Sequence, residues 1–236
     1  MESVLEMIFA RIIFAMSVAA LSLSSGCSGK DPASVAATQV ATLANVLLST
    51  KRPPHGEPFS LINSAQFAAI RPTLESGGQP ILLITVNSLS FVDLLTPAGM
   101  NSGVQTWSSA RKVSVSLRDD ILVATRGFGN DLMSATAPSV ALISSGNGQF
   151  SRSYFELDGG DRMVRSDFSC QLSQSGNQTL TILGAIYTTR TVLESCDGPG
   201  NSFQNEYWFD QDDRLRQSTQ HFSARNTSLL VQRIVD

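Results

Sequence analysis

The chain has few of the residues on which most catalytic and metal sites depend. It contains two histidines and three cysteines among 236 residues. His55 lies in a proline-rich stretch, and His221 stands near the end of a predicted strand, where we expect it to be exposed. The sequence has neither a Gly-x-Ser-x-Gly segment nor a Cys-x-x-Cys pair. We therefore expect no serine triad, no zinc centre, no thiol redox site and no cofactor.

Charged residues are also scarce, and the two signs nearly balance. They make up 16% of the chain, and the formal net charge is −3. This composition offers neither the basic stripe of a nucleic-acid-binding protein nor a polybasic membrane patch. The hydrophobic content of 42% is typical of a globular domain with a sizeable core.

An apolar run near the N-terminus ends at a cysteine. Residues 12–23 are mostly apolar, and Ser24-Ser25-Gly26-Cys27 follows. A run of this length fits a secretory signal and is too short to cross a bilayer as a helix. A small residue before the cysteine is typical of a bacterial lipoprotein signal. We predict cleavage before Cys27 and lipid on its thiol, with Ser28 favouring the outer membrane.

Two alternatives for this segment stay open. It could be an ordinary cleaved signal with a coincidental cysteine, or an anchor that is not cleaved. Ser24 stands where lipoprotein signals usually carry leucine, and Glu2 and Glu6 are unusual in the charged region of a signal. Translation from Met7 instead of Met1 would remove both glutamates.

Once Cys27 is assigned to lipid, Cys170 and Cys196 remain as an even pair. An oxidising compartment favours a disulfide between them, and the alternative is two buried thiols. A bridge across this spacing stabilises the fold by about 3.5 kcal/mol in the chain-entropy model.

The rest of the chain divides into a linker region and a β domain. Residues 27–59 read as a tether, a helix over 34–49 and a proline-rich linker, and residues 60–236 as one domain that begins with an ambiguous, helix-like stretch. Beyond residue 80 the apolar residues alternate, which indicates eight to eleven short strands. The predicted class is mainly β: an antiparallel meander forming a curved sandwich or barrel-like domain with a short N-terminal helix. The predicted hairpins are 112–125, 154–172 and 203–222, with 178–191 as one long strand that bulges at Gly184 and 229–235 as the last strand.

The strand around Trp208 provides the first candidate contact residues. Trp208 shares its side of the strand with Glu206 and Asp210, whereas Tyr207 and Phe209 share the other, so we expect Trp208 on the more polar face. A half-exposed tryptophan beside carboxylates suits stacking on a sugar ring, and it also suits an ordinary surface position. Residues 210–213 indicate a turn rather than a calcium loop.

A second candidate is Arg126, in a segment where two glycines flank Phe128. Glycine permits positive φ or a close backbone approach. Arg126 could pair with Asp131 to brace the turn, or it could contact an anionic saccharide.

Several segments carry a resemblance to a known family. They are Cys27, Trp107, residues 115–134, residues 205–210 and residues 214–218. Through them the chain resembles the YjbF/GfcB family of outer-membrane lipoproteins, encoded in exopolysaccharide and group 4 capsule gene clusters. The resemblance implies a β-rich fold, a non-catalytic role in producing or exporting surface polysaccharide, and partners among the outer-membrane and periplasmic proteins of the same cluster.

These observations predict a lipid-anchored accessory protein on the periplasmic face of the outer membrane. It would bind glycan or an outer-membrane partner through Trp208, Arg126, Glu206 and Asp210. One competing hypothesis is a polysaccharide-modifying hydrolase, which needs a cleft with two facing carboxylates. The other is a carrier of a lipid-linked saccharide, which needs an apolar cavity.

Overall fold

The computed structural model describes residues 64–223 and 227–236. The predictions for Cys27, His55, the helix over 34–49 and the linker lie outside these residues. The elements are α1 (Ser64–Ser76), β1 (Ile81–Val86), β2 (Phe91–Asn101), β3 (Val104–Ser108), β4 (Ser114–Arg118), β5 (Ile121–Arg126), β6 (Leu132–Ala135), α2 (Val140–Ser145), β7 (Gly148–Leu157), β8 (Met163–Ile182), β9 (Ala185–Gly198), β10 (Asn201–Phe209), β11 (Leu215–Ser223) and β12 (Thr227–Val235), with a 3-10 turn at Asn87–Leu89.

Twelve strands form one antiparallel sheet that curls into a nearly closed barrel. Each strand pairs with the next along the chain, except that β5 and β6 do not pair and β1 pairs with β12. Side chains bridge the seam between β5 and β6. Thr125 Oγ1 accepts from the Leu132 N–H at 3.0 Å, and the Arg126 guanidinium donates to the Leu132 carbonyl at 2.9 Å. The predicted class, mainly β with an antiparallel barrel-like sheet, is confirmed.

The predicted strand over 178–191 is wrong, because the chain reverses inside it. β8 ends at Ile182, and β9 begins at Ala185. Leu183 and Gly184 have φ of 44° and 82°, as in a two-residue hairpin turn of type I′. Gly184 therefore makes a turn, and the bulge lies between Gln174 and Gly176.

Apolar side chains fill the barrel and close both of its ends. Trp107 belongs to this core, as predicted. At one end, Ile143 of α2 is fully buried against strand residues that include Val192 and Phe209. At the other end, the loop after β5 turns Phe128 inward, with ring centroids 5.4 Å from Phe91 and 5.6 Å from Phe222. The segment between β5 and β7 thus helps to close both ends of the barrel.

The β8–β9 hairpin extends past its neighbouring strands and forms a second layer. β7 stops pairing with β8 at Leu172, and β10 stops pairing with β9 at Arg190. We call residues 177–189 the arm. Its inner side packs on the outer face of the barrel and on α1, in a cluster formed by Leu74, Ile81, Leu83, Leu94, Leu180, Ile182, Trp208 and Ile234.

Candidate functional site

Trp208 is buried, so the expectation that it stands half exposed on a polar face is wrong. Its side of β10 faces outward from the barrel, as the alternation indicates, but the arm covers it. Trp208 is only 6% exposed, and its indole N–H donates to Gln178 Oε1 at 2.9 Å. In this conformation the ring cannot stack on a sugar. Tyr207 and Phe209 lie in the core, as predicted.

Asp210 holds a turn together, as the sequence predicts. Its carboxylate accepts from the main-chain N–H groups of Asp212 and Arg214 at 2.9 and 3.0 Å, and from Arg216 Nε at 2.6 Å. Burial raises the pKa of Asp210, but the hydrogen bonds from Arg216 and the main chain outweigh it, so the net pKa is lowered. Glu206 is half-buried, and burial raises its pKa.

Arg126 braces the turn after β5, but through carbonyl groups rather than through Asp131. Its guanidinium donates to the carbonyls of Leu132 and Met133 at 2.9 and 3.2 Å. The Asp131 carboxylate accepts from the N–H groups of Gly127 and Phe128. Arg126 lies at the end of the barrel that Phe128 closes.

The four predicted contact residues do not converge on one site. The turn that follows Asp210 lies at the opposite end from Arg126, where Arg190 bridges Asp213 and Ser144 of α2.

His221 is buried, so the expectation of an exposed strand residue is wrong. It is 3% exposed, and its ring stacks on Phe203 with centroids 4.4 Å apart. Burial, and then the charge of Arg152, lower the pKa of His221 to about 4.

A charged network crosses the barrel interior, and the sequence analysis missed it. Arg152 Nη1 donates to both carboxylate oxygens of Glu194, which also accept from Asn205 Nδ2 at 2.8 Å and from the Tyr207 hydroxyl at 2.6 Å. Burial, with the neighbouring Glu194 charge, raises the pKa of Tyr207 well above its usual value. The alternation of side chains along β9 could have identified Glu194 as an inward-facing residue, because it places Glu194 on the same side of the strand as Val192 and Cys196.

The predicted disulfide is present beside this network. Cys170 and Cys196 are bonded at 2.02 Å across β8 and β9. Their sulfurs and a Glu194 oxygen lie within 4.8 Å of one another. Because the sulfurs are bonded to each other, neither is a thiolate that could bind a metal.

The alternatives of a carrier and a hydrolase make structural demands that can be compared with the described residues. A carrier needs an apolar cavity, whereas the barrel interior is filled with buried side chains. One depression opens near Asp120, Arg216 and Arg233 and holds about 10 Å³, room for one water. Among the described residues that line it, Asp120 is the sole carboxylate, and it pairs with Arg233. This depression therefore does not offer the two facing carboxylates that a hydrolase needs.

The outer face of the arm combines exposure with an absence of charge. No Asp, Glu, Lys or Arg occurs between Asp167 and Arg190. The exposed side chains on this face are those of Asn177, Thr179, Thr181, Ile186 and Thr188. Hydroxyl and amide groups both donate and accept hydrogen bonds, so this face fits an uncharged polar ligand.

These features define an antiparallel barrel with a packed interior, whose solvent-accessible polar groups lie on the outside. The family described as group 4 capsule polysaccharide lipoprotein gfcB, YjbF matches residues 40–234, and the chain belongs to this family. The resemblance stated from the sequence is thus confirmed. The comparison with curated proteins found no match. No helix among the described residues is long and apolar enough to cross a membrane.

A solved structure shares the fold. The hypothetical lipoprotein YmcC from Escherichia coli (K12) aligns with a TM-score of 0.62 at 14% identity, covering 76% of this chain and 97% of its own. A putative lipoprotein from Parabacteroides distasonis aligns with a TM-score of 0.33 at 9% identity, covering 66% of this chain and 94% of its own. At 14% identity the YmcC alignment supports the fold alone.

Proposed function

We propose that this protein is a lipid-anchored, non-catalytic accessory protein of capsule or exopolysaccharide production. Lipid on Cys27 holds it on the periplasmic face of the outer membrane. Family membership supports the link to capsule polysaccharide, and the small residues before Cys27 support the anchor. The partners are the glycan itself or outer-membrane and periplasmic proteins of the same export system.

The main support for a binding role on the outer surface is the packed interior of the barrel. Because apolar side chains and the Arg152–Glu194 network fill the barrel, a ligand makes its contacts on the outer surface. The outer face of the arm is the surface that we assign to it, since its hydroxyl and amide groups match the donors and acceptors of a sugar chain. The Cys27 lipid confines the barrel to the membrane, and confinement raises the effective concentration of weak contacts.

The fluorescence of Trp208 can report ligand binding to this surface. The indole lies directly under the arm and donates to Gln178, so a ligand that shifts the arm changes the fluorescence of Trp208. We expect the host polysaccharide to change this fluorescence and to release heat in calorimetry. The Thr181→Ala/Thr188→Ala double variant should bind about 5- to 30-fold more weakly, because each hydrogen bond contributes about 1 kcal/mol.

The matched control is Ser202→Ala/Gln204→Ala, which alters exposed side chains on β10 away from the arm. This control should bind like the wild type. If neither fluorescence nor heat changes on titration, glycan binding is wrong, and the partner proposal is tested by co-purification from outer membranes.

The anchor is tested separately. Radiolabelled palmitate should enter the wild-type protein and not the Cys27→Ser variant, and the variant should leave the membrane fraction. A variant that still sediments with membranes would contradict the lipid anchor.

A further inference from the structure

One edge of β8 has no neighbouring strand over half of its length. β7 pairs with β8 only as far as Leu172, whereas β9 continues along the other side to Ile182. Across the described part of the chain, no strand pairs with residues 173–182 on the side opposite β9. Main-chain N–H and C=O groups along this side therefore point away from the sheet.

The first part of this edge is shielded, whereas beyond it the side chains of Asn177, Thr179 and Thr181 are exposed. The bulge between Gln174 and Gly176 interrupts the ladder, and Gly146 at the end of α2 lies against the Gln174 side chain. From Asn177 to Ile182 the strand is regular. Exposed edges are usually protected by charged side chains or proline, and this stretch has neither.

We propose that the edge Asn177–Thr181 pairs with the same edge of a second copy of this chain. The two strands run antiparallel about a two-fold axis at Thr179, so that Thr179 faces its own copy and Asn177 faces Thr181. The two arms then form one four-stranded sheet.

The absence of charge favours a second copy over a different protein. A two-fold interface places each residue beside its own copy or beside a symmetry-related neighbour, so a charge near the axis would meet the same charge. A different partner could tolerate, and benefit from, charges complementary to its own. Threonine at two of the three outward positions adds a β-branched side chain that suits strand pairing.

This interface is small. A pair of five-residue strands buries less than the roughly 1,200 Å² of a standard stable interface. We therefore expect pairing to be weak in dilute solution and strong where copies are confined on a membrane. The pairing does not rest on glycan binding, and the anchor only increases the local concentration.

Cysteine cross-linking tests the proposal. In an antiparallel pair, Cα atoms of facing residues are about 4.5–5.5 Å apart, within the range that a disulfide spans. Thr188, on β9, is separated from its own copy by three strand spacings, about 14 Å. The full-length Thr179→Cys protein, in phosphatidylethanolamine–phosphatidylglycerol vesicles under mild oxidation, should therefore give a covalent dimer, and Thr188→Cys should not. The Thr179→Cys protein in the lipid-free Cys27→Ser form should dimerise at high protein concentration, which separates this result from failure of the anchor.

The second part of the experiment places a charge at the two-fold axis. Mixed Asn177→Cys and Thr181→Cys proteins should cross-link to each other. Adding Thr179→Lys to both should reduce this product at least tenfold, whereas adding Thr188→Lys should not. Equal cross-linking at positions 179 and 188, no product at position 179, or a product joining Thr179→Cys to a different polypeptide would each overturn the proposal.

Discussion

Arg152 and Glu194 form an ion pair inside the barrel in which neither side chain is exposed to solvent. Arg152 Nη1 lies 3.1 Å from both carboxylate oxygens, and hydrogen bonds from Asn205 and Tyr207 complete the environment of Glu194. The network joins β7, β9 and β10. A one-residue slip of any of these strands would turn its polar residue outward, so the network favours a single register.

Removing one partner of this pair should be costly. Glu194→Ala leaves the Arg152 charge buried without a counter-charge, and we expect a loss of about 3–5 kcal/mol in the free energy of unfolding. Arg152→Met/Glu194→Leu removes both charges and should lose less. Urea denaturation measures the stability of both variants. The control is Asp167→Ala, which removes an exposed ion pair with Arg165 and should leave the midpoint of unfolding nearly unchanged. A double variant less stable than Glu194→Ala would contradict this account.

Alanine substitutions at Gly127 and Gly129 provide a matched comparison that tests the packing of the loop that closes one end of the barrel. Both have φ of +94°, so alanine causes similar backbone strain at each. A Cβ at Gly127 would lie 3.1 Å from the Lys112 carbonyl oxygen and from Val113 Cγ1, whereas a Cβ at Gly129 meets open space. Gly127→Ala should therefore cost about 1–3 kcal/mol more than Gly129→Ala. Equal melting temperatures for the two variants would show that the packing of Gly127 does not matter.

The sequence could predict hairpins in which turn residues separate two segments of alternating apolar residues. Asp119 and Asp120 separate two alternating segments, and both adopt positive φ in the turn between β4 and β5. The alternation of Tyr207 and Phe209 also identified the inner face of β10, because each of these side chains is in contact with the core.

The errors arose where a second layer or an interior charge decides burial. Alternation showed that Trp208 faces away from the core, but it could not show that a distant hairpin covers it. His221 and Glu194 are polar residues on the inside, and their burial depends on ring stacking and on partners that are remote in sequence. The four-residue strand β6 was missed because so short a segment has no clear alternation.

The docking of the arm should depend on Arg71 of α1. Its guanidinium donates to the carbonyls of Ile182 and Ile234, both at 2.9 Å, and to the Tyr187 hydroxyl at 2.8 Å. Arg71→Ala should therefore increase amide hydrogen exchange in the arm while the barrel strands stay protected. Arg162→Ala, in the exposed turn between β7 and β8, is the control and should change neither. Unchanged exchange at residues 177–189 in Arg71→Ala would show that the apolar cluster alone holds the arm.

His221 should make the stability of the protein depend on pH. Its pKa is about 4 in the folded state and about 6.5 when unfolded, so the unfolded chain binds more protons between these values. Stability is then complete above about pH 6.5 and falls as the pH drops towards 4. From pH 7 to pH 5, the free energy of unfolding should decrease by about 2 kcal/mol because of this residue. Urea denaturation at each pH measures the change.

The His221→Gln variant isolates this contribution. It keeps the main-chain groups that bond to Asn205 and Tyr154 and removes only the titrating ring. Asp158 and Asp210 have lowered pKa values, so their stabilisation is lost below the ordinary carboxyl range, outside this pH window. Between pH 7 and pH 5, the free energy of unfolding of the variant should therefore decrease by about 2 kcal/mol less than that of the wild type. If the two proteins lose stability in parallel, the imidazole is not held neutral inside the barrel.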